Sequence, residues 1–181
     1  MAKIKQHPVP KMFVPILKQS GIKIKNYKSA ASFEKDLLKF LKRNHVLHLG
    51  TSKNDYPRVT PLEYRLFGLT FYILSEGGGK FNNLKANKKV CFGISEPYDS
   101  TKDFFGAKGL QAWGTAKVYS MKENLKQFQS IIKKMSIQTS LNMAGQEDLP
   151  SGLNFRIIEI KPNKIKYGNT REGIYNITWL K

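Results

Sequence analysis

Apolar positions recur with two different periods along the chain, and the changes of period mark out its elements. Phe33, Leu37, Leu38 and Leu41 fall at helical spacing within SFEKDLLKFLKRN, which predicts an amphipathic helix with one apolar face. Ser32 is its expected N-cap, with Glu34 and Asp36 near the positive end and Lys42 and Arg43 near the negative end. Downstream the period shortens to that of strands. VLHLGT (46–51), RVTPLEYRLF (58–67), LTFYILS (69–75), VCFGIS (90–95) and LQAWGTAKVYS (110–120) read as strands. Pro61 inside the second run implies an edge or a bulge. FRIIEIKP and KIKYGN read as closing strands, and GIYNITWLK as extended.

The connections decide how these strands are arranged. SKNDYP, with Asn54, Asp55 and Pro57, is turn chemistry, and Gly68 turns the chain again. Strands joined so tightly pair as antiparallel hairpins and not as a parallel α/β sheet. The expected architecture is therefore a meander closing into a small β-barrel, with helices over its ends. Phe81 and Leu84 place an apolar stripe on a short helix ending near Asn87. Ser120-Met121-Lys122-Glu123 matches a capping box, opening a helix with Leu125, Phe128, Ile132 and Met135 on one face and followed by a loop. Residues 1–31, rich in Lys and Pro, are expected to form an irregular leader, and residues 32–181 the folded domain.

Charge narrows the partners. The 181 residues carry 31 Lys+Arg against 13 Asp+Glu, a net +18, which favours nucleic acid, phosphate-bearing ligands or an anionic surface. The excess is mostly Lys spread through every region, which also describes a plain solvated surface. No RNP-like strand or helix-turn-helix signature accompanies it, which argues against a nucleic-acid module. Cys91 is the single cysteine. It excludes an intramolecular disulfide and a cysteine zinc cluster, and within VCFGI it is expected to be a buried small hydrophobe in a reducing, cytoplasmic setting. The N-terminal apolar run MFVPIL is short and broken by Pro15, so neither a signal peptide nor a membrane span is expected.

The stretch SEGGGKFNNLKAN (75–87) carries the strongest chemical suggestion. A nucleotide-hydrolysis loop requires Gly six residues before the Lys and Ser or Thr after it, but Leu74 and Phe81 stand there. The dinucleotide fingerprint fails at Asn82. What remains is a strand ending at Ser75, glycines that free backbone N–H groups, and Lys80 at a helix start, which suits an anion and equally suits a flexible hairpin tip. Arg58 lies two residues before Thr60, so both side chains share one strand face. Arg58 can grip a phosphate or a carboxylate, or stand as an exposed edge charge. His45 and His48 have no acidic partner at metal spacing, and Trp113 and Trp179 suit ligand stacking or packing.

Taken in order, the helix ending FLKRN, VLHLGT, the turn, PRVTPLEYRL, LTFYILSEGGGKFNNLKANKKVCFGI and the strand bearing WGTAKV resemble the pyridoxamine 5′-phosphate oxidase-like split-barrel flavoproteins, from Ser32 to about Asn169. The resemblance implies a mainly β fold, a six-stranded antiparallel split β-barrel of Greek-key type with covering helices. It also implies a homodimer with FMN at the subunit interface. Carried over by position, Arg58 and Lys80 contact the FMN phosphate, and Ser75 and the glycine backbone, Gly79 included, complete the cradle. Val59, Thr60 and Pro61 line the isoalloxazine and ribityl region, with Gln111 and Trp113 nominated on the later strand. Glu63 replaces the family's substrate-phosphate lysine, Gly79 replaces a second basic phosphate contact, and GIYNITWLK lacks the arginine- and histidine-bearing C-terminal motif. The expectation is an FMN-dependent oxidoreductase of unknown substrate, not a vitamin B6 oxidase, with no catalytic side chain nominated because the flavin carries the chemistry. Deazaflavin F420 or haem, the latter on His45 or His48, is the alternative on the same fold.

Overall fold

The computed structural model describes residues 1–150 and 152–181. Its strands are β1 (Lys3–Gln6), β2 (Val46–Lys53), β3 (Tyr56–Glu63), β4 (Arg65–Phe67), β5 (Thr70–Ser75), β6 (Lys89–Ser95), β7 (Lys108–Ser120), β8 (Arg156–Asn169) and β9 (Ile174–Leu180). The helices are α1 (Phe13–Gln19), α2 (Ala30–Arg43), α3 (Lys80–Ala86), α4 (Leu125–Lys134) and α5 (Ile137–Met143). The sheet is antiparallel throughout and mainly β in content, as the strand pattern predicts. Its barrel path runs β3-β2-β6-β7-β8-β5, with β3 approaching β5 but forming no ladder with it. Phe33, Leu37, Phe40, Leu47, Leu49, Phe71, Ile73, Phe92, Ile158 and Ile160 are buried inside. Burying each such side chain stabilises the fold by roughly 1.5–3 kcal/mol.

The split has a local cause. FRIIEIKP and KIKYGN are one continuous strand, β8, and not two. Its first half, Phe71↔Ile160 to Ser75↔Arg156, pairs with β5, while Lys164 to Asn169 pairs with β9. β7 runs along both halves and shifts register between Trp113 and Gly114. A Cβ on Gly114 would lie 2.4 Å from the Lys161 carbonyl oxygen, so only glycine permits the strands to meet where the sheet forks.

Several boundaries differ from expectation for identifiable reasons. Helix α2 begins earlier, with Ser29 as N-cap: Ser29 Oγ accepts from the Ser32 N–H at 3.2 Å and Ser32 Oγ accepts from the Ser29 N–H at 3.3 Å. Ser32 is thus the reciprocal partner in a capping box and not the cap. Phe40, not Leu38, completes the buried stripe, because positions 33, 37, 40 and 41 follow the helical repeat more closely. Tyr64 breaks the expected strand 58–67 into β3 and β4, its hydroxyl donating to the Leu41 carbonyl at 2.7 Å. The Ser120 hydroxyl accepts from the Glu123 N–H, but α4 starts only after Asn124, so the predicted capping box closes a turn before the helix. Phe128 and Met135 bury beneath α4, whereas Leu125 is exposed. A left-handed Ser136 (φ 53°) then breaks the chain into α5, where only a loop was expected.

The leader is less irregular than predicted. β1 pairs with β9 (Lys3↔Leu180 to Gln6↔Ile177), and α1 is a helix. Asn54 and Asp55 both adopt positive φ (50° and 59°) in the two-residue β2–β3 turn, a geometry these residue types tolerate well. β3 is an edge strand, its ladder made with β2 alone, which is where Pro57 and Pro61 can sit. Cys91 is exposed, contrary to expectation: strand alternation turns Val90, Phe92 and Ile94 inward and leaves positions 91 and 93 outside. No helix among the described residues is long and apolar enough to cross a membrane.

Candidate functional site

One mouth of the barrel collects positive charge. The end of β2, the start of β3, the end of β5, the start of β6, the end of β7 and the start of β8 all lie at this mouth, and α3 bridges β5 to β6 across it. Arg58 pairs in register with buried Thr51, two residues from Thr60, which pairs with buried Leu49. Both therefore share one face of β3, as their spacing predicts, and the register makes it the inward one. Ser75 shares parity with inward Phe71 and Ile73, and Arg156 shares parity with inward Ile158 and Ile160. Ser75, Arg156 and Ser120 stand side by side in register across β5, β8 and β7.

The glycine loop fits between these groups. Gly78 has φ +99°, a backbone angle that L side chains rarely adopt. A Cβ on Gly79 would lie 2.9 Å from the Arg58 guanidinium, so the missing side chain is what lets Arg58 lie against the loop. The Lys80 ammonium donates to the Gly77 carbonyl and lies 4.8 Å from the Phe81 ring centroid. Phe81 also carries the Arg156 guanidinium, 4.2 Å from its centroid. Lys80 is only 5% exposed. Burial first, then the charges of Arg156 and Arg58, hold its pKa below the usual lysine range, with Glu76 acting weakly the other way. Among the described residues, Arg58, Lys80 and Arg156 take part in no ion pair. Three gathered cations with no carboxylate in ion-pair contact among the described residues are an arrangement that suits an anion.

The remaining predicted residues lie elsewhere on β3 and its neighbours. Val59 and Pro61 take the opposite, outward face; Val59 is 67% exposed. One row across the sheet reads Val59, Gly50, Cys91, Trp113, Lys164, and the next reads Pro61, His48, Gly93, Gln111, Lys166. The first-row ring of Trp113 is half-buried, with the Lys164 ammonium 4.8 Å from its centroid. Gln111 and His48 line a groove of about 1040 Å³ with Lys108, Lys166 and Thr178. The structure thus gathers Arg58, Ser75, Gly79 and Lys80, with Thr60 on the same strand face, and separates them from Val59, Pro61, Gln111 and Trp113. The free edge of β3 is the line where the two groups meet. Trp179 is buried and donates to Glu34 at 2.6 Å, so it packs. No cluster of three metal-ligating side chains occurs among the described residues.

Sequence reasoning missed Arg156. Like Arg58, the third residue of β3, it stands near the start of a strand, and that parallel is the signal that could have found it. A further cleft of about 880 Å³ adjoins the cradle loop, lined by Ser75, Glu76 and Gly77 on one side and by Ser140, Leu141 and Phe155 on the other. The ion pair between Glu63 and Arg65 borders it.

Residues 33–168 match the pyridoxamine 5′-phosphate oxidase family. The chain belongs to that family. No curated protein matches its sequence. Solved structures share the fold at low identity. A haem-storage protein from Vibrio cholerae aligns at TM-score 0.59 and 20% identity over 77% of this chain and 97% of the other. An FAD-binding protein from Mesorhizobium loti aligns at 0.54 and 19% over 81% and 94%. General stress protein 26 from Bacillus anthracis aligns at 0.55 and 17% over 75% and 92%. The chain has the split barrel of the pyridoxamine 5′-phosphate oxidase family, with a cationic mouth and with Glu63 tied to Arg65 beside it.

Proposed function

We propose that the protein is an FMN-binding oxidoreductase that works as a homodimer. The observation that carries the reading is that Arg58 and Lys80, in no ion pair among the described residues, lie against a glycine loop whose missing side chain admits the arginine. The donor set fits a phosphate monoester: a planar fork, a compact ammonium and the Ser75 hydroxyl. Charge-assisted contacts of this kind contribute about 1.5–3 kcal/mol each. A bound flavin would supply the electron transfer. The chain's part is to anchor the phosphate at the mouth, to order the ligand along the free edge of β3, and to exclude water.

The outward face supports the dimer. Val46 and Val59 are exposed there beside the flat strip of Gly50 and Gly93, and a second copy laid on it would cover both rows and the ligand's exposed side. The lone Cys91 on this face suits a reducing, cytoplasmic compartment. A haem is the second reading, favoured by His48 in the lined groove and by the fold shared with a haem-storage protein. The test is a visible spectrum of the purified protein with added FMN and, separately, haemin. A flavin band with a saturable FMN titration is expected. A Soret band with no FMN binding would replace the flavin by haem.

A further inference from the structure

Arg156 has the attributes of a binding residue that local packing does not use up. It occupies the first position of β8, on the inward alternation, between Ser75 of β5 and Ser120 of β7. Its guanidinium lies against Phe81, the residue after Lys80, and Phe81 is itself locked into the core. No carboxylate among the described residues pairs with it. Glycine at position 79 supplies no further charge, and a side chain there would displace the Arg58 guanidinium. The mouth therefore receives its third cation from across the barrel, on a separate strand.

We propose that Arg156 is a specificity-determining residue that makes the barrel mouth selective for a terminal phosphate dianion, and so for FMN over riboflavin. The identity of the ligand rests on the flavin reading above; the anion preference rests on the charges alone. Stacking on Phe81 fixes the guanidinium plane before any ligand arrives, so little side-chain freedom is lost on binding. A dianion gathers all three cations, whereas the hydroxyl end of riboflavin leaves them uncompensated.

The experiment titrates FMN and riboflavin, by quenching of flavin fluorescence, into the wild-type protein, Arg156→Gln and Arg156→Lys. The wild type is expected to prefer FMN. Arg156→Gln should weaken FMN about 10- to 100-fold and leave riboflavin unchanged, with Arg156→Lys between them. Equal loss of both flavins, or no loss of FMN, overturns the proposal. If the wild type binds neither flavin, the flavin reading fails. The decisive readout is then the rise in melting temperature with inorganic phosphate: a rise abolished in Arg156→Gln supports the anion preference, and its absence or persistence overturns it. Arg156→Lys keeps the test alive should the glutamine variant fail to fold.

Discussion

Replacing Asp36 with asparagine isolates one charge that ties the N-terminal segment to the barrel. The Asp36 carboxylate accepts from the Tyr27 hydroxyl at 2.7 Å, from Lys25 at 2.8 Å and from Lys39 at 3.1 Å. Burial alone would raise its pKa; the hydrogen bonds from Lys25, Tyr27 and Lys39 override that and bring it from 3.8 to about 2. At about 1.4 kcal/mol per unit this corresponds to an upper bound of about 2.4 kcal/mol. The lysines reach the solvent, with side chains 41% and 76% exposed, so screening reduces the expected effect to about 1–2 kcal/mol. Asparagine keeps an acceptor for Tyr27 and loses only the charge. Because the folded pKa is depressed, the stabilisation is present above pH 4 and lost as pH falls through about 2. Thermal denaturation of both proteins from pH 7 to pH 2 measures it. The variant should melt about 2–8 °C lower at pH 7 and converge with the wild type near pH 2. A gap that persists unchanged at pH 2, or no gap at pH 7, refutes the electrostatic account.

Three further perturbations address the mouth and the fork. Lys80→Met removes a buried charge held between two arginines, so the ligand-free protein should melt higher while FMN affinity falls about 10-fold or more; a lower melting point would show that the ammonium is already compensated. Gly79→Ala places a Cβ 2.9 Å from the movable Arg58 guanidinium, so stability should hold while FMN binding weakens about 10-fold by titration; unchanged affinity would detach Arg58 from the ligand. Gly114→Ala meets backbone and not a flexible tip, and should cost about 1–3 kcal/mol in denaturant unfolding, whereas a neutral result would mean that the fork yields easily.

The barrel was legible because alternation and turn chemistry agree residue by residue. Asn54-Asp55 announces the hairpin, and the spacing of Arg58 and Thr60 announces that they share a face. The same alternation should have placed Cys91 outside, since Val90, Phe92 and Ile94 claim the interior; apolar neighbours in sequence are not neighbours in burial. β8 was hidden by Pro162, which reads as a strand end but stands opposite Gly114 at the register shift, between the stretches that pair with β5 and with β9. β1 was hidden because four residues of Lys and Gln with Ile carry no amphipathic signal and take their order from β9. Arg156 could not be tied to Lys80, because the two meet only through strand order and the Phe81 ring. Local pattern thus reports which way a side chain points, and only the topology reports what it meets there.

The prolines of β3 reach beyond the hairpin that holds them. An open strand is a template on which another chain can continue the sheet, and repeated copying builds fibres. Here Pro57 and Pro61 have no N–H to offer such an incoming strand, and they stand on either side of the apolar Val59. The rim is accordingly a terminator of sheet growth. Under the proposed dimer a second copy lies flat on the outward face, while the prolines deny that same visitor the rim along which polymerisation would start.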